Sequence, residues 1–151
     1  AAIRGMRVDE VPEALEGKID LVLMMRAAHL PNRFEGELET LVASVFKALK
    51  PGGVLGIVQH RAPAGNSDAW ADGSAGYLKQ SMVVAKVEAA GFKLEATSEI
   101  NANPKDNPTE EDVVWRLPPT LDVGEDNAEL KAKMIAVGES DRMTLKFRKP
   151  E

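Results

Sequence analysis

The stretch Leu49–Arg61, which reads Leu-Lys-Pro-Gly-Gly-Val-Leu-Gly-Ile-Val-Gln-His-Arg, decides the fold of this chain. An amphipathic helical pattern closes at its first two residues, and the Pro-Gly-Gly that follows prevents the helix from continuing. Val54–Val58 is an apolar run of strand length without polar alternation, which is typical of a parallel strand covered on both faces. Ligands of open α/β sheets collect where such strands end, so Gln59, His60 and Arg61 are candidate site residues.

A second strand and a connecting helix precede this stretch. Ile19–Met25 is apolar almost throughout and also predicts a strand covered on both faces. Between the two strands, a segment from about Phe34 to Leu49 carries apolar residues at the spacing of one helical face. A strand, a helix and a strand joined in this way predict a right-handed parallel crossover. Both strands should therefore end at the same edge of the sheet.

The remaining predicted elements follow from periodicity and from turn residues. Residues 101–126 contain four prolines and predict a long loop, which in a compact domain is usually a lid or an interface. We expect the last two strands to pair antiparallel. The elements are a weak strand at Ile3–Val8, a helix over about Tyr77–Ala90, an alternating strand at Phe92–Ile100, a helix at Asn127–Val137 and a strand at Met143–Phe147.

Composition limits the classes of function. The chain has 151 residues, 44% hydrophobic and 28% charged, which predicts one globular domain. A net charge of -5 argues against a nucleic-acid-binding surface. There is no cysteine, which excludes thiol catalysis and disulfides, and no apolar run reaches the length of a membrane span. We therefore expect small-molecule or protein partners, with the cytoplasm as the default compartment and the periplasm left open.

The ordered set of elements resembles the carboxyl-terminal half of class I S-adenosylmethionine-dependent methyltransferases. It is also similar to a bacterial group of predicted methyltransferases that share three segments, found here at Asn103–Asp106, Trp115–Pro119 and Gly138–Arg142. The resemblance implies an α/β fold with a partial Rossmann-like sheet, made of two parallel strands and an antiparallel carboxyl-terminal pair and flanked by helices. It implies that residues 1–151 form a single domain, the carboxyl-terminal part of a larger methyltransferase fold.

The resemblance also implies S-adenosylmethionine as the cofactor. The family holds it with a glycine-rich turn after the first strand and an acidic residue after the second, and neither is found here. We therefore expect weak or absent cofactor binding by this chain alone. Two functions stay open: a methyltransferase, either represented here by its second half or completed by a partner, and a catalytically inactive fragment that acts as a self-associating or binding module.

Two histidines are the candidate catalytic residues, because each follows a predicted parallel strand. His29 and His60 can serve as bases or as hydrogen-bonding groups for an acceptor. The alternative for each is a histidine satisfied by the backbone. The resemblance implies that Met25 and Arg26 contact the methionine end of the cofactor, and their alternative is a core methionine and a surface arginine.

The acceptor side is assigned to three further residues. Gln59 and Arg61 flank His60, and Trp115 in the long loop either caps a substrate pocket or packs the loop onto the sheet. The spacing of the histidines gives no metal-ligand motif, so we predict no metal. Methyl transfer is a displacement that depends mainly on positioning, and a base helps when the acceptor of the methyl group is a hydroxyl or an amine. We expect a small-molecule acceptor.

The strand Ile19–Met25 predicts an oligomer. In the resembling family another strand lies beside it, and without that strand an apolar edge is left unpaired. We expect self-association through this edge, either edge to edge about a twofold axis or by exchange of the amino-terminal segment.

Overall fold

The computed structural model describes residues 11–124 and 127–151. The predicted strand at Ile3–Val8 lies outside the described residues. The described part contains four strands, four helices and two short 3₁₀ turns, at Glu13–Leu15 and Val114–Arg116. The strands and helices are β1 (Ile19–Met25), α1 (His29–Asn32), α2 (Glu37–Ala48), β2 (Leu49–His60), α3 (Gln80–Ala89), β3 (Lys93–Ser98), α4 (Ala128–Val137) and β4 (Arg142–Arg148). None of the described helices has the length and apolarity needed to cross a bilayer.

The four strands form one mixed sheet in the order β1-β2-β4-β3. β1 and β2 are parallel, and Met25 lies beside Val58. β4 is antiparallel to both β2 and β3. The predicted fold class, with two parallel strands, an antiparallel carboxyl-terminal pair and flanking helices, is confirmed.

The main core lies between one face of this sheet and the helices α2 and α3. Leu38, Val42 and Val45 on α2 and Val83 and Val87 on α3 are all buried against the strands. The sheet contributes alternate residues, as expected when one face is covered. These are Met24, Leu55, Ile57, Met143, Leu145 and Phe147.

α2 ends at Ala48, as the Pro-Gly-Gly sequence predicts, but the strand that follows is longer than the predicted run Val54–Val58 and includes Pro51-Gly52-Gly53. β2 begins at Leu49, directly after α2, and runs to His60. Gly52 has a φ of +72°, and its N–H donates to the Lys149 carbonyl, while the Lys149 N–H donates to the Gly53 carbonyl. Proline and glycine are rare inside strands, but pairing with the carboxyl-terminal segment extends β2 through these three residues.

The prediction that both parallel strands are covered on both faces is wrong within the described residues. The side chains of Leu21, Leu23 and Met25 point away from the helices and are 52%, 60% and 55% exposed. Their neighbours Val54 and Val58 on β2 are half-buried. We call this surface, formed by Leu21, Leu23, Met25, Val54, Gly56 and Val58, the outer apolar face.

Candidate functional site

An open cavity of about 360 Å³ lies where β1 and β2 end. Because the two strands are parallel neighbours, the residues that follow them meet at one edge of the sheet. The long loop and the residues before β4 complete the wall. Five predicted site residues line the cavity together: Met25, Arg26, His29, His60 and Trp115. The other lining residues are Val114, Leu117, Pro118, Pro119, Thr120, Glu139 and Ser140.

A hydrogen-bonded chain through Gln59 defines the tautomer of His29. The Gln59 Nε2 donates to the Gly76 carbonyl at 2.8 Å, so its Oε1 must face the other way, toward His29 Nδ1 at 3.4 Å. An amide oxygen only accepts, so His29 Nδ1 carries the proton. The lone pair of the neutral ring is then on Nε2. His29 is thereby prepared to accept a proton at that atom.

His60 lies beside His29, with the two ring centroids 5.9 Å apart. Its Nδ1 is 2.6 Å from the Ser140 hydroxyl, which can donate or accept. Burial lowers the pKa of His60 to about 4, and the positive charges of Arg142 and Arg26, together with that of His29 when its ring is protonated, contribute to this shift. Burial also lowers the pKa of His29. Both rings are therefore neutral at neutral pH.

Arg26 turns the chain out of the sheet and into the cavity wall. Its N–H donates to the Val58 carbonyl of β2 at 2.6 Å, one residue beyond the end of β1. Its φ of +54° is in the left-handed region, which is unfavourable for a residue with a side chain. Such backbone strain concentrates at functional sites, which agrees with the position of Arg26 beside the histidines.

Trp115 both lines the cavity and packs the long loop onto the fold. Its ring meets His29 edge-on at a centroid distance of 6.2 Å. The neighbouring Val114 donates its N–H to the Ala75 carbonyl and belongs to a second small core. Gly76 allows this approach, because a Cβ at its φ of +86° would be 2.3 Å from the Val114 Cγ1. The two alternatives for Trp115 are therefore compatible.

A buried polar network joins the three segments that carry the family resemblance. The Asp106 carboxylate, with no exposed side-chain surface, accepts from the Tyr77 hydroxyl at 2.9 Å and from Arg116 at 3.0 Å. It also accepts the backbone N–H of Asp141 at 2.9 Å. Burial and the Asp106 charge raise the pKa of Tyr77, which therefore remains a neutral donor. The network holds the long loop against the start of β4.

Gln59 and Arg61 do not line the cavity, although both were predicted to bind substrate. Gln59 is fully buried beneath His29. The Arg61 guanidinium pairs with Asp141 at 2.8 Å and with Glu99 at 2.7 Å. This pairing lowers the pKa of Glu99. Arg61 thus links the end of β2 to the residue that follows β3 and to the start of β4.

Sequence reasoning did not select Ser140, Glu139, Tyr77 or Asp106. All but Tyr77 lie in the segments shared with the resembling group, but no chemical pattern separates them from their neighbours. Asp141 contacts Arg61 and Asn103 at the start of β4. Within residues 11–124 and 127–151, no group of three or more metal-ligating side chains comes together.

No protein-family model matches the sequence, and no curated protein is similar to it at the sequence level. Solved structures do match. The [4+2]-cyclase SpnF has a TM-score of 0.59 at 16% identity, covering 96% of this chain and 54% of that one. The Burkholderia thailandensis 1,6-didemethyltoxoflavin-N1-methyltransferase, solved with S-adenosylhomocysteine, has a TM-score of 0.57 at 13% identity, covering 97% and 49%.

A third match is the N-methyltransferase NodS from Bradyrhizobium japonicum in complex with S-adenosylhomocysteine. Its TM-score is 0.54 at 14% identity, with 97% of this chain and 53% of that one covered. The chain spans about half the length of these solved proteins. Its fold is that of the class I S-adenosylmethionine-dependent methyltransferases. The sheet in the order β1-β2-β4-β3 is the part of that fold which the described residues contain.

Proposed function

We propose that this chain is the acceptor-side part of an S-adenosylmethionine-dependent methyltransferase that acts on a small molecule. The observation that carries the proposal is the pair of neutral histidines, 5.9 Å apart, in a cavity at the ends of two parallel strands. Proteins of the same fold have been solved with S-adenosylhomocysteine, the product of the methyl donor. The cavity volume is at the lower end of the range for small-molecule sites.

The described residues fit part of the cofactor. Arg26 offers a guanidinium for a carboxylate, and the adjacent Met25 offers a soft apolar contact. A glycine-rich turn and a ribose-binding acid after a strand are not found in the sequence. S-adenosylmethionine, when bound, supplies an electrophilic methyl group. We expect this chain alone to bind it more weakly than a complete methyltransferase does.

The residues of this chain then orient the acceptor and receive its proton. His29 Nε2 accepts the proton of a hydroxyl or an amine, while Gln59 fixes the ring by holding Nδ1–H. His60 supplies a second neutral polar group at the same wall. Trp115, Pro118 and Pro119 of the long loop limit the access of water to the acceptor.

The second candidate is a catalytically inactive module that self-associates or binds another protein. The exposed outer apolar face favours it, because a contiguous apolar surface usually marks an interaction site. The fold alone does not decide the function. Solved proteins with this fold differ in what they do, since one match is named a cyclase and others are named methyltransferases.

Calorimetry and thermal shift with S-adenosylmethionine separate the two functions. The proposal predicts heat of binding and a raised melting temperature, both also produced by S-adenosylhomocysteine. Arg26→Gln should weaken this binding, whereas Arg33→Gln, which removes a nearby arginine outside the cavity, should not. The absence of heat, of a thermal shift and of a change in the histidine NMR signals with either ligand would contradict the proposal and favour the inactive module.

A further inference from the structure

β1 has an open edge in the part of the chain that the structure describes. The strand pairs with β2 on one side, and no described strand lies on the other. The backbone N–H and C=O groups of successive strand residues point to opposite sides of the strand. Because the Arg26 N–H points to β2, those of Leu21, Leu23 and Met25 point away from β2, toward the open edge. β1 has no proline or lysine, the usual protections of an edge strand. The edge is therefore built to accept another strand.

The side chains along this edge are apolar and exposed. Leu21, Leu23 and Met25 are each more than half exposed, although they belong to an apolar strand. All three lie on the outer apolar face. A strand that pairs with β1 and carries apolar residues on the same face would shield their flanks.

We propose that the occupant is β1 of a second copy of this chain, paired antiparallel about a twofold axis at Leu23. In this register Leu23 faces its own counterpart, and Leu21 faces Met25 of the partner subunit. The outward N–H and C=O groups of all three residues are then hydrogen-bonded. If the pairing slipped by one residue, the outward N–H and C=O groups of one strand would lie opposite residues whose backbone groups point away from the partner. The registers one residue away are therefore disfavoured.

Charge complementarity supports a second copy in this register. The residue before Leu21 is Asp20, and the residue after Met25 is Arg26. Antiparallel pairing centred on Leu23 places Asp20 opposite Arg26 of the partner subunit, twice across the axis. Within one chain the Asp20 side chain pairs with Lys50, but it is 78% exposed, so its carboxylate remains accessible to a second cation. Registers shifted by two residues lose this match.

The dimer has a consequence for the cavity. Met25 and Arg26 line it, and in the proposed register they lie beside Leu21 and Asp20 of the partner subunit. Each cavity would then gain one carboxylate at its rim from the other copy. The pairing thus makes the site a shared one, and it uses the edge that the resembling family fills with another strand.

Cysteine cross-linking tests the register directly, because the chain has no cysteine of its own. Directly opposed residues of a hydrogen-bonded antiparallel pair have Cα atoms about 5.5 Å apart, within disulfide range. Leu23→Cys should therefore form a covalent dimer under mild oxidation. Leu21→Cys alone should not, whereas a mixture of Leu21→Cys and Met25→Cys should. Ile135→Cys, 55% exposed on α4, is the control that should stay uncross-linked.

Sedimentation velocity at micromolar concentration tests the association without chemistry. The wild-type chain should be a dimer, Leu23→Lys a monomer with an unchanged circular dichroism spectrum, and Ile135→Lys still a dimer. Asp20→Arg and Arg26→Asp should each weaken the dimer, and the double variant should restore it. A monomeric wild-type chain, or a dimer insensitive to Leu23→Lys, overturns the proposal. Failure of the double variant to restore the dimer overturns the register and the shared cavity.

Discussion

The imidazole rings of His29 and His60 lie 5.9 Å apart at the edge of the sheet where both parallel strands end. The relationship is topological, because His29 follows β1 and His60 closes β2. The expectation that the two parallel strands bring these histidines to one edge of the sheet is confirmed. Whether either ring receives a proton during a reaction stays a prediction.

Gln59→Leu should disorder His29 and destabilise the fold by about 1–3 kcal/mol, because the buried Gly76 carbonyl and His29 Nδ1 both lose their partner. Nitrogen NMR of the His29 ring should change from a single tautomer to a mixture. Gln80→Leu is the matched control, since Gln80 only accepts a long bond from Arg61. A single unchanged tautomer in Gln59→Leu would contradict the role given to Gln59.

The stability of the protein should fall as the pH decreases from 6.5 toward 4. The pKa of His60 is about 4 in the folded chain and about 6.5 when unfolded, so the unfolded state binds the proton first. The stabilisation is present above pH 6.5 and decreases by about 2–3 kcal/mol by pH 4.5. Urea unfolding measured across this range checks it.

Two variants make the pH experiment specific. His60→Asn keeps a polar atom near Ser140 and removes the titration, so it should flatten the dependence between pH 6.5 and 4.5. Glu39→Gln should not, because Lys86 lowers the pKa of Glu39 below its ordinary value of 4.5. An unchanged slope in His60→Asn would show that another group titrates, and His29 would be the next one to replace.

The parallel strands and their cavity could be predicted because apolar runs and helical spacing are local signals. What covers a strand is not local. Leu21 and Leu23 have the composition of a strand covered on both faces, but composition records only the tendency to be buried. In the same way the Pro-Gly-Gly sequence predicts the end of the helix, but its place in β2 depends on pairing with the backbone of Lys149, which is distant in the sequence.

The division of roles among Gln59, His60 and Arg61 could not be predicted either. Successive strand residues point to opposite faces, so Gln59 is buried under the helices while His60 faces the cavity. The carboxylates that hold Arg61, Glu99 and Asp141, are distant in the sequence, and no spacing rule connects them. The pattern located the sheet edge but not the partner of each side chain.

Gly76→Ala should destabilise the protein by about 2–4 kcal/mol, because the added Cβ meets Val114 and the φ of +86° is strained for alanine. Trp115 would then move away from His29, and its fluorescence should shift to longer wavelength. Gly65→Ala, where a Cβ meets nothing within 4 Å, should change stability little. Equal effects of the two substitutions would show that the approach of Val114 to Gly76 is not what limits this site.

Asp106→Asn should loosen the long loop and cost about 3–5 kcal/mol, since it leaves the half-buried Arg116 without its buried carboxylate partner and weakens the acceptor of Tyr77. Asp112→Asn removes the other carboxylate that pairs with Arg116, and because that pair is more exposed it should cost no more than about 1 kcal/mol. Hydrogen exchange should report the difference as faster exchange of the Val114 and Asp141 amides in Asp106→Asn only. Because the Asp141 amide bonds directly to Asp106, equal protection of that amide in both variants would mean that the network does not couple the loop to β4.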